Sequence, residues 1–434
     1  MFDKKTVRDI RLTGKRVLLR ADYNVPLANG RITDDYRLKA SLPTIEYILK
    51  QRPAGLVIIS HLGRPAGKRD KSMSLRPVAG RLQSLLGKEV YFAPDCVGDD
   101  LKRLAARLPA GSLLMFENVR FHPGEEKDDP AFAKAIVEAA GAQVFVADGF
   151  GVVHRAHATT HAITKLLPSV AGLLLQKEVT TITQVMDRPE RPLLALIGGA
   201  KISDKIDVLN KMLDHADVVA VAGALANNFL LAEKIAVGRS VVELKEIDTA
   251  EAILKKARAL ERKRAFSFLL PVDGVLATDF SGRHPTRVVD FTTHGLADIE
   301  AYPHLPPRRA YSVGARELIL DIGPVSAALV AGAIKLARTV IWAGTCGVTE
   351  TPGIGGASPP FAHGTRVVAE AMIGASNKHK NKPFTLVGGG DTVGYVESEG
   401  LVDDFNHVST GGSASLELMV GKHLPGVEAL EDKK

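Results

Sequence analysis

The sequence has almost no cysteine: Cys96 and Cys346 are the only two in 434 residues, and they lie far apart. Neither stands in a recognised metal-ligand spacing, so no disulfide framework and no zinc motif is expected, and a reducing compartment fits. Long apolar runs are also missing. The best, from Leu166 to Leu175, contains Pro168 and Gly172 and falls well short of the roughly 20 residues a membrane helix needs. The first residues, Met1 to Ile10, are charged throughout and lack the apolar stretch and cleavage site of a signal peptide. No membrane partner is expected, and a cytoplasmic location is. The formal net charge is +7, yet no long basic run or RNA-binding aromatic signature accompanies it, so no nucleic-acid partner is expected either.

What the chain does have is length and apolar content. With 434 residues, 45% of them hydrophobic and 24% charged, it exceeds what one core usually serves and favours two globular domains. Short β-branched or leucine-rich runs alternate with helical periodicity nearly from end to end, the pattern of βαβ units and parallel sheets. The first half predicts strands over Arg16–Arg20, Leu56–Ser60, Val90–Phe92, Leu113–Phe116 and Val144–Ala147. Between them, Leu38, Leu42, Ile45 and Ile48 are spaced along one helix, and Leu75, Val78, Leu82 and Leu85 along another. A helix from about Val170 to Met186 leads into Arg188-Pro-Glu-Arg-Pro192, where the prolines end it and a hinge is expected. Strands then resume near Leu193–Ile197, Val218–Val221, Phe268–Pro271, Ile319–Asp321, Val340–Trp342 and Thr385–Val387. The fold class is therefore α/β, with two doubly wound parallel-sheet halves. The stretch from Phe280 to Leu318, with Pro285, Pro303, Pro306 and Pro307, breaks the pattern and supports no assignment.

Ligands bind outside the carboxyl ends of the strands in open parallel sheets, so the residues following each strand carry the functional signal. In the first half these are Asp22 and Asn24, His61 and Arg64, Glu117 and Arg120, then Asp148, His154 and Arg155, with Arg37 opening the first helix. Arginines gathered at one sheet edge repel one another unless an anion compensates, and guanidinium groups hold phosphate and carboxylate by paired hydrogen bonds. The implied ligand is small and multiply anionic. In the second half the equivalent places hold glycine and lysine. Gly198-Gly-Ala-Lys-Ile-Ser-Asp-Lys205 and Gly388-Gly-Gly-Asp-Thr392 each follow a strand and open a helix, exposing backbone amides to an anion, with Asp391 suited to magnesium. A third turn, Ser409-Thr-Gly-Gly-Ser413, precedes the final helix. None is a P-loop. Gly149-Phe-Gly-Val-Val-His154 has a histidine where a dinucleotide fingerprint needs its third glycine, which argues against a nicotinamide dehydrogenase.

Ordered blocks from Val7 to Leu430 resemble the phosphoglycerate kinase family: Arg20 through Leu27, Ser60 through Pro65, Glu117 through His122, His154 through Ala158, Gly198 through Lys205, Leu270 through Asp273, Asp321 through Pro324, Gly388 through Thr392, and Ser409 through Leu416. The resemblance implies two Rossmann-like lobes: residues 1–172 with 412–434 for 3-phosphoglycerate, a hinge helix over 173–192, and residues 193–411 for the nucleotide. The C-terminal tail would return to the first lobe. It implies reversible phosphoryl transfer between 1,3-bisphosphoglycerate and MgADP by a monomer whose lobes close before chemistry. Asp22, Asn24, Arg37, His61, Arg64, Arg120 and Arg155 match the substrate contacts. Gly199, Ala200, Lys201, Lys205, Gly223, Glu350, Gly389, Gly390, Asp391 and Thr392 match the nucleotide contacts, Asp391 also the metal ligand. Arg37, Lys201, Lys205, Gly390 and Gly412 would stabilise the transferring group. The chemistry agrees. A carboxylate nucleophile of pKa about 4 is already ionised at neutral pH and needs no general base, and none is evident.

Departures from the family pattern cluster around the nucleoside. Trp342-Ala-Gly-Thr-Cys-Gly347 replaces the usual Trp-Asn-Gly-Pro-Met-Gly, Ile319 stands for a glycine, Ala222 for another, and a Gly/Pro-rich loop runs from Thr351 to Pro360. A reshaped base pocket with weakened adenine selectivity is expected. The competing expectation is a catalytically weak relative that binds anions or nucleic acid.

Overall fold

The computed structural model describes residues 2–291, 312–374 and 382–433. They form two compact units, Met1–Gln184 with Thr410–Lys434, and Val185–Ser409.

In the first unit, β1 (Arg16–Arg20) is followed by a small antiparallel pair, β2 (Leu27–Ala28) and β3 (Arg31–Ile32), then by β4 (Gly55–Ile59), β5 (Val90–Phe92), β6 (Leu113–Met115), β7 (Val144–Ala147) and β8 (Ser169–Ala171). The six main strands form one parallel sheet in the order β5-β6-β4-β1-β7-β8. Strands such as Gly-Leu-Val-Ile-Ile in β4 are buried throughout because helices cover both faces, which is why they read as unbroken apolar runs. Those helices are α1 (Tyr36–Lys50), α2 (Arg76–Leu86), α3 (Asp99–Arg107) and α4 (Pro130–Ala140). α2 buries Val78, Ala79 and Leu82 on one face and stops at Gly87, whose φ of 61° is left-handed. Because β1 is flanked by β4 on one side and β7 on the other, the strand order reverses above its carboxyl end, and a ligand crevice is expected there.

The sequence predicts a helix from about Val170, but Ser169–Ala171 is instead the edge strand β8, paired with β7. Helix α5 (Leu173–Asp187) begins only after it. The reason is Asp148: its Oδ1 accepts from the amides of Leu174 and Leu175 at 3.0 and 3.3 Å and so fixes the first turn. This cap has a pH signature. Burial pushes the Asp148 carboxyl from its ordinary 3.8 up to about 7. The protonated form is therefore favoured by folding, so its stabilising contribution is complete below about pH 4 and is lost as pH rises through about 7. Urea unfolding of the first unit should show the parent's stability falling relative to that of D148N as pH rises from about 4 to about 7, whatever the buried histidines add to both. The same slope in both proteins would locate the titration elsewhere.

α5 ends at Asp187, ahead of Pro189 and Pro192. The second unit then repeats the architecture. β9 (Leu193–Ile197), β10 (Val218–Val221), β11 (Ser267–Leu269), β15 (Thr339–Ala343), β16 (Phe384–Gly388) and β17 (His407–Val408) make a parallel sheet in the order β11-β10-β9-β15-β16-β17. Its helices are α6 (Ile206–His215), α7 (Gly223–Ala232), α8 (Ile247–Glu261), α9 (Pro324–Leu336), α10 (His363–Ile373) and α11 (Gly390–Ser398). The run around Ile319–Asp321 is a strand but not part of this sheet. It belongs to β14 (Leu318–Ile322) of a separate antiparallel sheet with β12 (Asp273–Ala277) and β13 (Arg287–Asp290). An apolar run shows that a strand forms; its partner is decided by packing. The unassigned stretch thus contains β13, while Pro303, Pro306 and Pro307 lie outside the described residues.

The chain ends by returning to the first unit as α12 (Ser413–Met419) and α13 (Pro425–Glu428). The amide and hydroxyl of Thr410 donate to Glu178 of α5 at 2.7 and 2.8 Å, and Lys5 N donates to Glu431 O at 2.7 Å. The third glycine turn is therefore divided. Ser409 closes the second unit, and Gly411 and Gly412 belong to the first, where Gly412 is the N-cap of a seven-residue helix.

Candidate active site

Above β1, the loops that the sequence singles out do converge. Arg37, at the start of α1, donates from Nη1 to Asp22 Oδ2 at 2.8 Å, and Asp22 Oδ1 lies 3.9 Å from His61 Nδ1. Asn24 Oδ1 accepts from Gly63 N at 2.8 Å, while Gly63 O accepts from Arg120 Nη1 at 2.8 Å, so one glycine joins two predicted contacts. Arg155 Nε donates to His154 Nε2 at 3.0 Å. Arg64 follows on the exposed side of the same loop.

The sequence reading missed what lies beneath. Arg20, only 1% exposed at the end of β1, donates from Nε to Thr159 Oγ1 at 2.8 Å and lies 3.8 Å from Glu125, which is wholly buried. Thr159 in turn donates to Glu125 Oε1 at 2.6 Å. The only sequence signal was an arginine ending an otherwise apolar strand. This buried base makes the cradle strongly cationic. Burial, followed by the charges of Arg20, Arg120 and Arg37, holds His61 well below its ordinary value and therefore neutral. Burial, then Arg120, Arg20 and Arg155, lowers His157 to about 4. The Nδ1 atoms of His154 and His157 are buried without a hydrogen-bond partner, and Arg120 Nε, also without one, has only the Glu126 carboxylate 3.4 Å away as an ion-pair partner. Clustered unsatisfied groups of this kind cost free energy unless a ligand completes them, and the local charge selects an anion.

Above β9 the geometry is set by backbone. Gly198 lies so close to the following strand's loop that a Cβ would stand 2.3 Å from Thr345 O. Gly389, with φ of 88°, caps α11, so Gly390, Asp391 and Thr392 form that helix's first turn and present its amides. Thr392 Oγ1 accepts from Gly344 N at 2.6 Å, locking the loop to the end of β15. Lys205 is the N-cap of α6, and burial lowers its ammonium pKa while Asp391 and Asp204 act in the opposite direction. Lys201 stands exposed in the loop before it.

These loops rim a cleft of about 760 Å³, open to solvent, whose walls include Gly199, Ala200, Gly223, Glu350 and Asp391. Its far end is apolar, built from Leu230, Val241, Phe280, Phe291 and Ile319, with Asn227 the amide among them. Ile319 and Thr345, two of the altered positions, line this cleft. Ala222 and Ala343 do not line it; both are fully buried at strand ends. Asp321, also in the wall, accepts from the amides of Gly364 and Ile322 at 2.8 and 2.9 Å and so ties β14 to the start of α10. The sequence reading quoted Asp321 as a motif residue without seeing this link.

Two doubly wound units, one with an arginine-lined anion cradle and one with amide-lined and lysine-lined turns beside an apolar cleft, define an α/β phosphotransferase of nucleotide and small acid. The phosphoglycerate kinase model matches residues 7–422. The chain is 44% identical over 430 residues to the phosphoglycerate kinase of Moorella thermoacetica, covering 99% of this chain and 100% of that one. It is 43% identical over 430 residues to that of Pelotomaculum thermopropionicum, with the same coverage. Among solved structures, phosphoglycerate kinases from Coxiella burnetii and Pyrococcus horikoshii superpose with TM-scores of 0.76 and 0.82 at 33% and 26% identity, each covering 98% of both chains. The chain belongs to the phosphoglycerate kinase family. It is a phosphotransferase of glycolysis that moves a phosphoryl group between 1,3-bisphosphoglycerate and ADP, giving 3-phosphoglycerate and ATP, with Mg²⁺.

Proposed function

We propose that the cradle of the first unit binds the phosphoglycerate through Asp22, Asn24, Arg37, His61, Arg64, Arg120 and Arg155, and that the second unit binds the nucleotide through the turns above β9 and β16. The observation that carries this reading is the cluster of buried polar atoms without hydrogen-bond partners at His154 and His157, beside the charge of Arg120. In the nucleotide unit, Gly199, Ala200, Lys201, Lys205, Gly223 and Gly389 to Thr392 surround the phosphates, and Glu350 takes the ribose. Asp391 offers a hard carboxylate oxygen at the cleft beside Lys205, a donor that suits magnesium, which prefers one or two carboxylates plus phosphate oxygens and water. Bound there, the ion would neutralise phosphate charge. The chain's own contribution is orientation and charge. The substrate carboxylate attacks without a base, so Arg37, Lys201, Lys205 and the amides at Gly390 and Gly412 serve the transferring group, whose stabilisation is electrostatic.

The base end is apolar apart from Asn227, whose Nδ2 is committed to Val241 O at 3.1 Å and whose Oδ1 is buried without a hydrogen-bond partner, leaving one acceptor for a donor of the base. Apolar walls discriminate weakly between molecules of similar shape, on the order of 10²-fold or less. We therefore read adenine selectivity as modest. We also read the enzyme as a cytoplasmic monomer without a nucleic-acid partner, because its arginines gather in a concave, partly buried cradle rather than along an exposed stripe.

A coupled assay tests both halves of the reading. R120Q should raise KM for 3-phosphoglycerate about 10–100-fold, the worth of one or two hydrogen bonds to a charged group, and leave KM for ATP unchanged. The unmodified enzyme should use GTP with kcat/KM within about 10² of ATP. Equal effects of R120Q on both substrates would overturn the division of sites, and strict refusal of GTP would overturn the base-pocket reading.

A further inference from the structure

Outside both sites, the loops after β5 and β6 bring together Asp95, Cys96 and His122. The two strands are neighbours in the sheet, so the loops leave it side by side. One oxygen of Asp95, the sulfur of Cys96 and a ring nitrogen of His122 all lie within 4.8 Å of one another. The arrangement is held from several directions. His122 stacks on Phe132 with ring centroids 5.0 Å apart, which aims Nε2 at Asp95 Oδ1, 2.7 Å away. The same oxygen accepts from Cys96 N at 2.7 Å, and Asp95 O accepts from Glu117 N at 3.3 Å. Arg69 reaches the outer oxygen, Asp95 Oδ2, at 2.8 Å. Cys96 is fully buried, whereas the side chains of Asp95 and His122 are about one-third exposed, so solvent reaches one side of the cluster.

We propose that Asp95, Cys96 and His122 bind one divalent ion of zinc's class, with water completing the coordination. Bonds of about 2.0–2.3 Å in a tetrahedral site put donor atoms about 3.3–3.7 Å apart, so the 2.7 Å contact of Asp95 with His122 must open by about 0.6 Å and any pair near the 4.8 Å limit must close by about 1 Å, both within reach of side-chain rotation. The donor set of thiolate, imidazole and carboxylate selects a borderline-soft ion and not magnesium. Carboxylates outnumber guanidinium groups among the charges that act on Cys96, while burial opposes a charge of either sign there. After burial, the charges of Asp95, Glu125 and Glu117 all raise the Cys96 thiol above its ordinary pKa, with Arg69 opposing. The same carboxylates attract a metal ion. On binding, Cys96 loses its proton to solvent, and neutral His122, whose Nε2–H faces Asp95, carries its proton on Nδ1 instead so that the Nε2 lone pair takes the metal, and one proton appears per ion bound.

The test is a cobalt titration of the full-length, chelator-treated protein without nucleotide, with D391A run in parallel to remove the nucleotide-loop carboxylate. One equivalent should bind in both, with a thiolate-to-cobalt charge-transfer band in the near ultraviolet, release of one proton, and displacement of cobalt by zinc. C96S should abolish the band and retain phosphoryl transfer under saturating magnesium. H122N, at a partly exposed position and so less exposed to folding losses, should weaken binding at least about tenfold, since even supporting partners of metal ligands are worth about 10–100-fold. No charge-transfer band in the unaltered protein, or a titration that H122N leaves unmoved, would overturn the proposal.

Discussion

Replacing Lys205 by alanine should lower kcat about 10²–10³-fold with the fold intact, the loss expected when one preorganised donor to a developing charge is removed. Lys205 stands at the N-cap of α6 within the field of Asp391, and its ammonium is already partly stripped of water, so its attraction for phosphate oxygens is stronger than that of a solvated lysine. Burial opposes its charge while Asp391 and Asp204 favour it, so the two effects offset on shortening, and circular dichroism and the thermal midpoint should stay near the parent's. The forward and reverse coupled assays would read the loss. A protein that only bound anions would tolerate K205A, losing affinity in proportion to one phosphate contact and with the salt dependence of such contacts. Retained turnover would therefore remove Lys205 from the reacting centre.

The largest stability effect is expected at Glu125. Its carboxylate is wholly buried against Arg20 and Thr159, and desolvation pushes the Glu125 pKa up and the Arg20 pKa down, each charge being tolerated because the other is present. Removing one member of such a pair leaves an uncompensated buried charge, at a cost of about 3–5 kcal/mol. E125A should therefore destabilise the first unit by that amount, whereas E125Q, which keeps an acceptor for Thr159, should lose less. The readout matters. The sole tryptophan, Trp342, is buried in β15 of the second unit and reports on that unit, so far-ultraviolet circular dichroism must be followed alongside fluorescence. An E125A protein with an unchanged denaturation midpoint would show that Arg20 finds another counter-charge.

The residues of the cationic cradle were legible because chemistry forces their type and the strand pattern forces their place. Arg37, Arg120 and Arg155 stand where helices and loops leave the carboxyl ends of strands, and an arginine there has few structural reasons to recur. Arg20, Thr159 and Glu125 were not legible as a group: they lie 139 and 105 residues from Arg20 along the chain and meet only because β1 is central in the sheet. The Asp95, Cys96 and His122 cluster escaped for a related reason, since its members sit in the loops after two adjacent strands rather than at a motif's fixed spacing.

Periodicity and turn chemistry by themselves determined that the chain is α/β, where most strands and helices lie, and that arginine-bearing loops follow the strands of one half and glycine-rich turns those of the other, because these properties depend on neighbours a few residues apart. The tertiary structure alone decided that Ser169–Ala171 is a strand, that β14 leaves the main sheet, that the tail from Thr410 returns to the first unit, and that Ile319 and Thr345 reach the nucleotide cleft while Ala222 and Ala343 do not. Each of these turns on which distant segment supplies the partner, and a partner's distance along the chain leaves no trace in local sequence.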